Sequence, residues 1–182
     1  MIIAITGTPG TGKTSVAEVL RTKGFEVVDL NKVACDKNFL IGKDTKRDSY
    51  IIDIEKFNKY IFDNYIGKEI VFIEGHLSHL LKTVEKIIIL RCHPEILKNN
   101  LSKKGWNIEK IKENIEAELL DIILCETVGI HKENNIFEIN VSDKSVEEIA
   151  NMINEITKNK FKKMKKYNIG RIDWSEEILK DF

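Results

Sequence analysis

A glycine-rich stretch near the start of the chain has the residue types and spacing of a phosphate-binding loop. It lies between a short apolar run and a stretch with helical character, so the order is strand, loop, helix. The loop matches G-x-x-x-x-G-K-T from Gly7 to Thr14. Glycines let successive backbone N–H groups turn inward around an anion, and the N-terminus of the following helix adds partial positive charge. The sequence therefore predicts a nucleotide-phosphate site here.

Two side chains of this loop carry the predicted chemistry. Lys13 is expected to reach the β- and γ-phosphates, and Thr14 to offer its hydroxyl to Mg²⁺, so that ATP with Mg²⁺ is the expected cofactor. The structural alternative is a glycine-rich turn before an ordinary helix. The residues expected to contact the nucleotide here are Gly7, Thr8, Pro9, Gly10, Thr11, Gly12, Lys13, Thr14 and Ser15.

Glu74 and His76 form a second candidate group at the end of the third predicted strand. A phosphate-loop enzyme needs a carboxylate at a neighbouring strand tip to orient the shell of Mg²⁺, and Glu74 is the best candidate in the sequence. The alternative is an acidic residue that caps the strand end. His76 points to the same side as Glu74 on an extended backbone. It could position a water, tune Glu74 or contact a nucleotide, or it could be a polar loop histidine.

A basic connector joins two predicted helices, where Lys103 and Lys104 precede Gly105-Trp106. A basic pair on a short connector near the phosphates suits a lid that closes on ATP, excludes water and neutralises the transferring phosphoryl group. We expect this lid at about residues 103–113. An ordinary basic helix end is the alternative.

Two further candidates follow from position in the fold. Arg91 ends the fourth predicted strand, and ligand sites of α/β proteins lie at the carboxyl ends of strands; it could pair equally with a phosphate or with a buried carboxylate. Ser142 lies in the loop after the fifth strand, which is expected to form one wall of the adenine pocket. His79, His93 and His131 have no spacing typical of a metal site and are interpreted as structural or surface residues.

The elements that must position these residues form an α/β pattern. Near-continuous apolar runs alternate with helical segments, which predicts a parallel sheet with helices on both faces. The predicted strands are residues 2–6, 26–29, 70–74, 86–91 and 136–140. The predicted helices cover about 13–23, 53–64, 94–103 and 108–126, with a last long helix starting near Ser145.

Two regions depart from this pattern. Residues 31–50 are polar and charged, and an acceptor-binding insertion is expected at about 30–52. Residues 158–171 hold six lysines and one arginine without an acid, inside a tail at about 158–182 that ends in a short amphipathic piece around Trp174. This basic tail is either a solvated helix end or a contact surface for RNA or a ribonucleoprotein partner.

Composition limits the function classes. The 182 residues suit one domain, 1–182, and the formal net charge of 0 gives no global attraction to nucleic acid or membrane. No eighteen-residue apolar stretch is present, so no membrane partner is expected, and the first apolar run is interpreted as a strand and not as a signal peptide. Three scattered cysteines without C-x-x-C spacing favour free thiols in the cytoplasm and disfavour zinc.

Taken together, these motifs resemble the adenylate kinase isoenzyme 6 family, also described as ribosome-biogenesis ATPases, in its archaeal form. The resemblance covers about residues 1–156. It rests on GTPGTGKT (7–14), VFIEGH (71–76), Leu90-Arg91, KGWN (104–107) and ENIEAE (113–118). The phosphate loop is generic, whereas the acid-x-His after the third strand, the lid and the helix motif are more specific.

The resemblance implies an NMP-kinase-like fold with a five-stranded parallel sheet, an acceptor-binding region and a short lid. It implies that Mg-ATP and AMP give two ADP, with intrinsic ATPase activity and binding to a small-subunit ribosomal protein during rRNA maturation. It also implies catalytic roles for Glu74 and His76. The lid arginine of the family corresponds to Lys104, which keeps the charge without the planar guanidinium.

Other functions stay open on the sequence. An ATP-driven assembly factor would use ATP as a switch for partner affinity. A dephospho-coenzyme-A kinase or shikimate kinase shares the loop, but the third-strand motif and the lid disfavour the first. Shikimate kinases usually have an Asp-x-Asp near the second strand and a Gly-Gly-Gly element, and this sequence contains neither. A GTPase is disfavoured because no Asn-Lys-x-Asp element occurs late in the chain.

Overall fold

The computed structural model describes residues 1–44 and 49–178. Residues 45–48 of the predicted insertion and residues 179–182 of the predicted tail lie outside the described residues. Seven strands are present in this part of the chain: β1 (Ile2–Gly7), β2 (Glu26–Asp29), β3 (Leu40–Asp44), β4 (Ser49–Ile52), β5 (Val71–Glu74), β6 (Lys86–Arg91) and β7 (Ile136–Asn140).

Five of these strands form one parallel sheet in the order β2-β5-β1-β6-β7. All five were predicted from their apolar runs, with bounds that differ by one residue at most. The order places β1 at the centre, with β5 and β6 on either side of it. Because the strands are parallel, the segments that follow them meet at one edge of the sheet.

The helices flank this sheet, and several of them begin at polar caps. They are α1 (Lys13–Thr22), α2 (Leu30–Asp36), α3 (Ile54–Tyr65), α4 (Pro94–Lys103), α5 (Ile108–Leu119), α6 (Ile122–Ile130), α7 (Val146–Lys158) and α8 (Ser175–Ile178). Asp53, Asn107 and Ser145 accept hydrogen bonds from the first turns of α3, α5 and α7. Among the described residues, no helix is long and apolar enough to cross a membrane.

The core consists of two apolar clusters, one on each face of the sheet. Alternate residues of β1 divide between them: Ile3 and Ile5 join the cluster with α1, α4 and α7, whereas Ile2 and Ala4 join the cluster with α3. The strand period of two explains this division. Since both faces are covered, the strands have the near-continuous apolar sequences from which they were predicted.

The prediction of one continuous helix at about 108–126 is wrong. The structure has two helices, α5 and α6, which are separated at Leu120 and Asp121. Asp121 adopts a left-handed conformation with φ 54°, which Asp tolerates better than most residues, and its carboxylate pairs with the buried Arg91.

The region predicted as an insertion contains α2 and an antiparallel hairpin of β3 and β4, neither of which was recognised in the sequence. The segment after α7 packs back onto the protein. Phe161 and Tyr167 are buried, and the Gly170 N–H donates to Glu138 at 2.7 Å. All six lysines from Lys158 to Lys166 are exposed: Lys158, Lys160, Lys162, Lys163, Lys165 and Lys166.

Candidate functional site

A cavity of about 850 Å³ opens where β1 and β5 end. Its walls come from the phosphate loop, the segment after β5, the end of α4 with the basic connector, and α5 and α6. The lining residues are Thr8, Pro9, Gly10, Gly12, Lys13, Thr14, Ser15, Asn31, Glu74, Gly75, His76, Leu77, His79, Asn100, Lys103, Lys104, Trp106, Lys110, Glu113, Asn114, Ala117, Ile123 and Glu126. The fold thus brings together most of the residues singled out in the sequence.

The phosphate loop needs glycine at Gly7 for steric reasons. Gly7 has φ 142°, and a Cβ at this position would lie 2.4 Å from the carbonyl oxygen of Leu90 on the neighbouring strand. Real Cβ atoms do not approach a backbone oxygen so closely, so any side chain here would displace the loop from β6. Gly7 and Thr11 shape the loop but do not line the cavity.

Lys13 is the first residue of α1 and is buried at the base of the cavity. Its Nζ donates to the carbonyl oxygens of Gly7 at 2.7 Å and of Thr8 at 3.1 Å. Burial lowers the pKa of Lys13 to about 8, with Glu74 opposing the shift and Lys104 adding to it. A positive charge that lacks a full hydration shell is well suited to bind an anion.

Glu74 is 4% exposed and lies beside Thr14, whose hydroxyl donates to Glu74 Oε1 at 3.4 Å. Burial raises the pKa of Glu74, and the nearby Asp29 adds to this effect. A hydroxyl and a carboxylate side by side are the oxygen donors that Mg²⁺ prefers, so these two side chains fit a magnesium ion. Among the described residues, no group of three or more His, Cys, Asp or Glu side chains could hold a metal ion.

His76 lines the cavity two residues after Glu74. Burial lowers the pKa of His76 to about 4, and Lys13 contributes to the same shift. The imidazole is therefore neutral at physiological pH. It can donate a hydrogen bond from one nitrogen and accept one at the other.

The basic connector contributes Lys103 and Lys104 to the cavity, and the first turn of α5 adds Lys110. Lys110 Nζ lies 4.4 Å from the centre of the Trp106 ring, which also lines the cavity. A cation on an aromatic face stabilises the connector against the start of α5. Lys104 is exposed and close enough to Lys13 to affect its pKa.

Arg91 does not reach the cavity. The sequence left a phosphate and a buried carboxylate as equal alternatives, and the structure shows carboxylates: Glu118, Glu138 and Asp121. Ser142 also lies outside the cavity lining. Its hydroxyl donates to Asn140 at 2.6 Å and accepts from the backbone N–H of His93 at 2.8 Å.

Sequence reasoning missed the wall opposite the phosphate loop. His79 is buried, as a structural histidine would be, yet it also lines the cavity and contacts Thr6 at 3.1 Å and Glu126 at 2.9 Å. Glu126 and Ile123 belong to α6, which the sequence had merged with α5. Asn31 and Asn100 also line the cavity. A polar residue in a helix has no local signal that shows which cavity it faces.

Comparison with known proteins agrees with this geometry. A family model described as an AAA domain matches residues 3–121. A protein of Methanocaldococcus jannaschii named "Putative adenylate kinase" is 41% identical over 180 residues, which cover 98% of this chain and 96% of that protein. The chain belongs to this adenylate kinase family. A member from Archaeoglobus fulgidus with the same name is 39% identical, over 98% of this chain and 94% of its own length. The family resemblance of the motifs is confirmed.

Solved structures support the fold of the family. A shikimate kinase from Acinetobacter baumannii superposes with a TM-score of 0.60, at 15% identity, over 87% of this chain and 93% of its own. A thymidylate kinase from Candida albicans gives a TM-score of 0.56 at 13% identity, over 88% and 92%. At these identities the likeness concerns the fold alone, and it confirms the predicted NMP-kinase-like sheet.

Proposed function

We propose that the protein is an ATP:AMP phosphotransferase, which transfers the γ-phosphoryl group of Mg-ATP to AMP and yields two ADP. The observation that carries this proposal is the extent of the cavity. Besides the phosphate loop and His76, residues of α2 and α6 line it, namely Asn31, Ile123 and Glu126. Its volume lies in the upper part of the range of about 300–1,000 Å³ that small-molecule sites occupy. An acceptor can therefore lie beside the phosphates of ATP.

In the proposed reaction, an oxygen of the AMP phosphate attacks the γ-phosphorus of ATP. The new P–O bond forms as the bond from the γ-phosphorus to the β–γ bridging oxygen breaks, and the departing group is ADP. Such a transfer needs positioning and charge neutralisation more than covalent chemistry. Lys13 neutralises the β- and γ-oxygens from the base of the cavity, and Lys104 does so from the connector.

His76 and Glu74 are assigned to the centre of the cavity. The neutral imidazole of His76 holds the attacking oxygen, or a water in its place, by a hydrogen bond. Thr14 and Glu74 would hold Mg²⁺, which supplies charge neutralisation between the phosphates when bound. The remaining loop residues from Thr8 to Ser15, except Pro9, which has no backbone N–H, bind the triphosphate with backbone N–H groups.

Two segments complete the proposed machinery. Residues 103–113 act as the lid, since they carry the cavity lysines and Trp106 on a short connector between α4 and α5. The segment with α2 and the β3–β4 hairpin, at about 30–52, serves as the acceptor-binding region. Asn31 is its described contact with the cavity.

The test is separation of nucleotides after incubation of the pure protein with Mg-ATP, with and without AMP. We expect ADP to form at twice the rate of ATP loss, and only when AMP is present. The Lys13→Ala variant controls for a contaminating kinase. Equal amounts of ADP and free phosphate, with no additional ADP when AMP is added, would contradict the phosphotransferase and indicate an ATPase.

An ATPase that switches the affinity for a ribosomal partner is the second candidate. Six exposed lysines, from Lys158 at the end of α7 to Lys166, have no acid between them and favour a contact with rRNA or a small-subunit ribonucleoprotein. Hydrolysis that needs no AMP but increases with ribosomal RNA or protein would support this second function.

A further inference from the structure

Glu118 connects the lid-side helix to the phosphate loop. It lies near the end of α5 and is 2% exposed, and its Oε2 accepts a hydrogen bond from the hydroxyl of Thr8. Thr8 is 2% exposed and lies 110 positions away in the sequence. The pattern G-x-x-x-x-G-K-T leaves the residue type at Thr8 open, so the motif does not explain this contact.

The other carboxylate oxygen of Glu118 is held by three donors. Its Oε1 accepts from Arg91 Nε at 2.7 Å, from the Cys92 backbone N–H at 3.2 Å and from Trp174 Nε1 at 3.4 Å. A buried carboxylate with this many donors has a determined position and orientation. It can therefore serve as a rigid anchor for Thr8.

The backbone of Thr8, together with that of Gly7, holds the ammonium group of Lys13. The carbonyl oxygen of Thr8 accepts from Lys13 Nζ at 3.1 Å and from the Thr11 backbone N–H at 3.2 Å. The same residue thus binds Glu118 through its side chain and holds Lys13 through its backbone. A displacement of Thr8 would move both the loop and the lysine charge.

We propose that Glu118 is a positioning residue for the phosphate loop, which it holds through the Thr8 hydroxyl so that Lys13 and the loop N–H groups are arranged for the nucleotide before it binds. Because Asn114 and Ala117 of α5 line the same cavity, the contact also keeps this wall in register with the loop. The inference rests on the part of the proposed function in which the loop binds ATP.

The first test replaces the hydroxyl without changing the shape. Thr8→Val removes the donor, Thr8→Ser keeps it, and Thr157→Val on α7 removes a hydroxyl that bonds to the Ile153 carbonyl, far from the cavity. We expect kcat/KM for ATP to fall about 10-fold in Thr8→Val, as for loss of a hydrogen bond to a charged group. Thr8→Ser should restore it to within about 2-fold, and Thr157→Val should leave it unchanged.

A second readout separates positioning from a purely structural role. The increase in Tm on addition of Mg-ATP measures nucleotide binding independently of the stability of the nucleotide-free protein. We expect Thr8→Val to reduce this increase more than Thr157→Val does. A Tm that falls in the nucleotide-free Thr8→Val protein, with a normal increase on ATP addition and normal kcat/KM, would overturn the proposal.

The pair can also be tested from the side of Glu118. Glu118→Gln keeps the shape and an acceptor oxygen, and Arg91 retains Asp121 and Glu138 as partners, so this variant is expected to fold. If the two residues act through their contact, Thr8→Val should lower kcat/KM for ATP by a smaller factor in the Glu118→Gln background than in the wild type. Fully additive effects would contradict the proposal. If the wild type binds ATP but transfers no phosphoryl group, only the proposed reaction is contradicted. The effects of the single and double variants could then still be measured as changes in ATP affinity.

Discussion

Arg91 and Glu118 form an ion pair in which both side chains are 2% exposed, with Arg91 Nε 2.7 Å from Glu118 Oε1. The guanidinium also pairs with Glu138 at 2.7 Å and with Asp121. One cation thus compensates two fully buried carboxylates and a third that is partly exposed. The group joins β6, β7 and the break between α5 and α6.

Replacing Arg91 should strongly destabilise the protein. Arg91→Met would leave the buried Glu118 and Glu138 without a counter-charge, and removal of one partner from a buried pair costs about 3–5 kcal/mol. Chemical denaturation would measure this loss in the free energy of unfolding. Lys68→Met is the matched control, since Lys68 and Glu26 form an exposed pair and the expected change is below about 1 kcal/mol. Equal effects of the two substitutions would show that the buried cluster contributes no more than a surface pair.

Lys13→Ala should abolish both phosphotransfer and ATP hydrolysis. The substitution removes the buried charge next to the proposed phosphate position, and loss of one such stabilising group costs a factor of about 100 or more in kcat. Lys23→Ala, at the other end of α1, is the control and should keep wild-type turnover. Near-normal turnover in Lys13→Ala would contradict the assignment of the phosphate loop.

The affinity for ATP should depend on the charge of Lys13. Burial lowers the pKa of Lys13 to about 8, so the nucleotide-free protein loses this charge as the pH rises through that value. Binding then requires uptake of a proton, and Kd for ATP should increase by up to about 10-fold per pH unit above pH 8. Titration with ATP at a series of pH values from 7 to 10 would measure the effect.

The Lys104→Ala variant tests whether Lys13 is the group whose titration changes the affinity for ATP. Its positive charge helps to lower the pKa of Lys13. In Lys104→Ala the increase in Kd should therefore begin at higher pH, besides any general loss of affinity. A pH profile that Lys104→Ala leaves unmoved would argue against Lys13 as the titrating group.

His76→Ala should impair turnover and largely keep ATP binding. The neutral imidazole is assigned to the attacking oxygen and not to the triphosphate, so we expect kcat to fall about 100-fold and Kd for ATP to change less than about 3-fold. His76→Gln keeps hydrogen-bonding capacity and should retain more activity than His76→Ala. Collapse of ATP affinity with normal turnover at saturation would make His76 a binding residue.

The protonation of His76 gives this assignment a second test. Because the pKa of His76 is lowered to about 4, its titration should not affect the rate between pH 6 and 8. If the wild-type rate instead falls as the pH rises from 6 to 8, and the rate of His76→Gln does not, the charged imidazole takes part in the reaction.

The sequence predicted the elements of the sheet closely because every strand is contiguous in the chain and all except the edge strand β2 are almost fully buried. The phosphate loop was equally predictable, since its glycines, Lys13 and Thr14 act within eight successive residues. The caps at Asp53, Asn107 and Ser145 depend on bonds across three residues, so local sequence was sufficient there as well. The hairpin of β3 and β4 was missed, because its strands are short and their apolar runs, Leu40-Ile41 and Tyr50–Ile52, are largely exposed.

By itself the sequence determined the class of fold, the phosphate loop and the family, because these depend on local patterns and on contiguous motifs. Only the tertiary structure decided between a phosphate and a carboxylate for Arg91, and only the structure placed Glu118 against Thr8. Both contacts join residues that are distant in the chain, and the break at Asp121 brings a further carboxylate to Arg91. The far wall of the cavity follows from the same break, since α6 supplies Ile123 and Glu126 only as a separate helix.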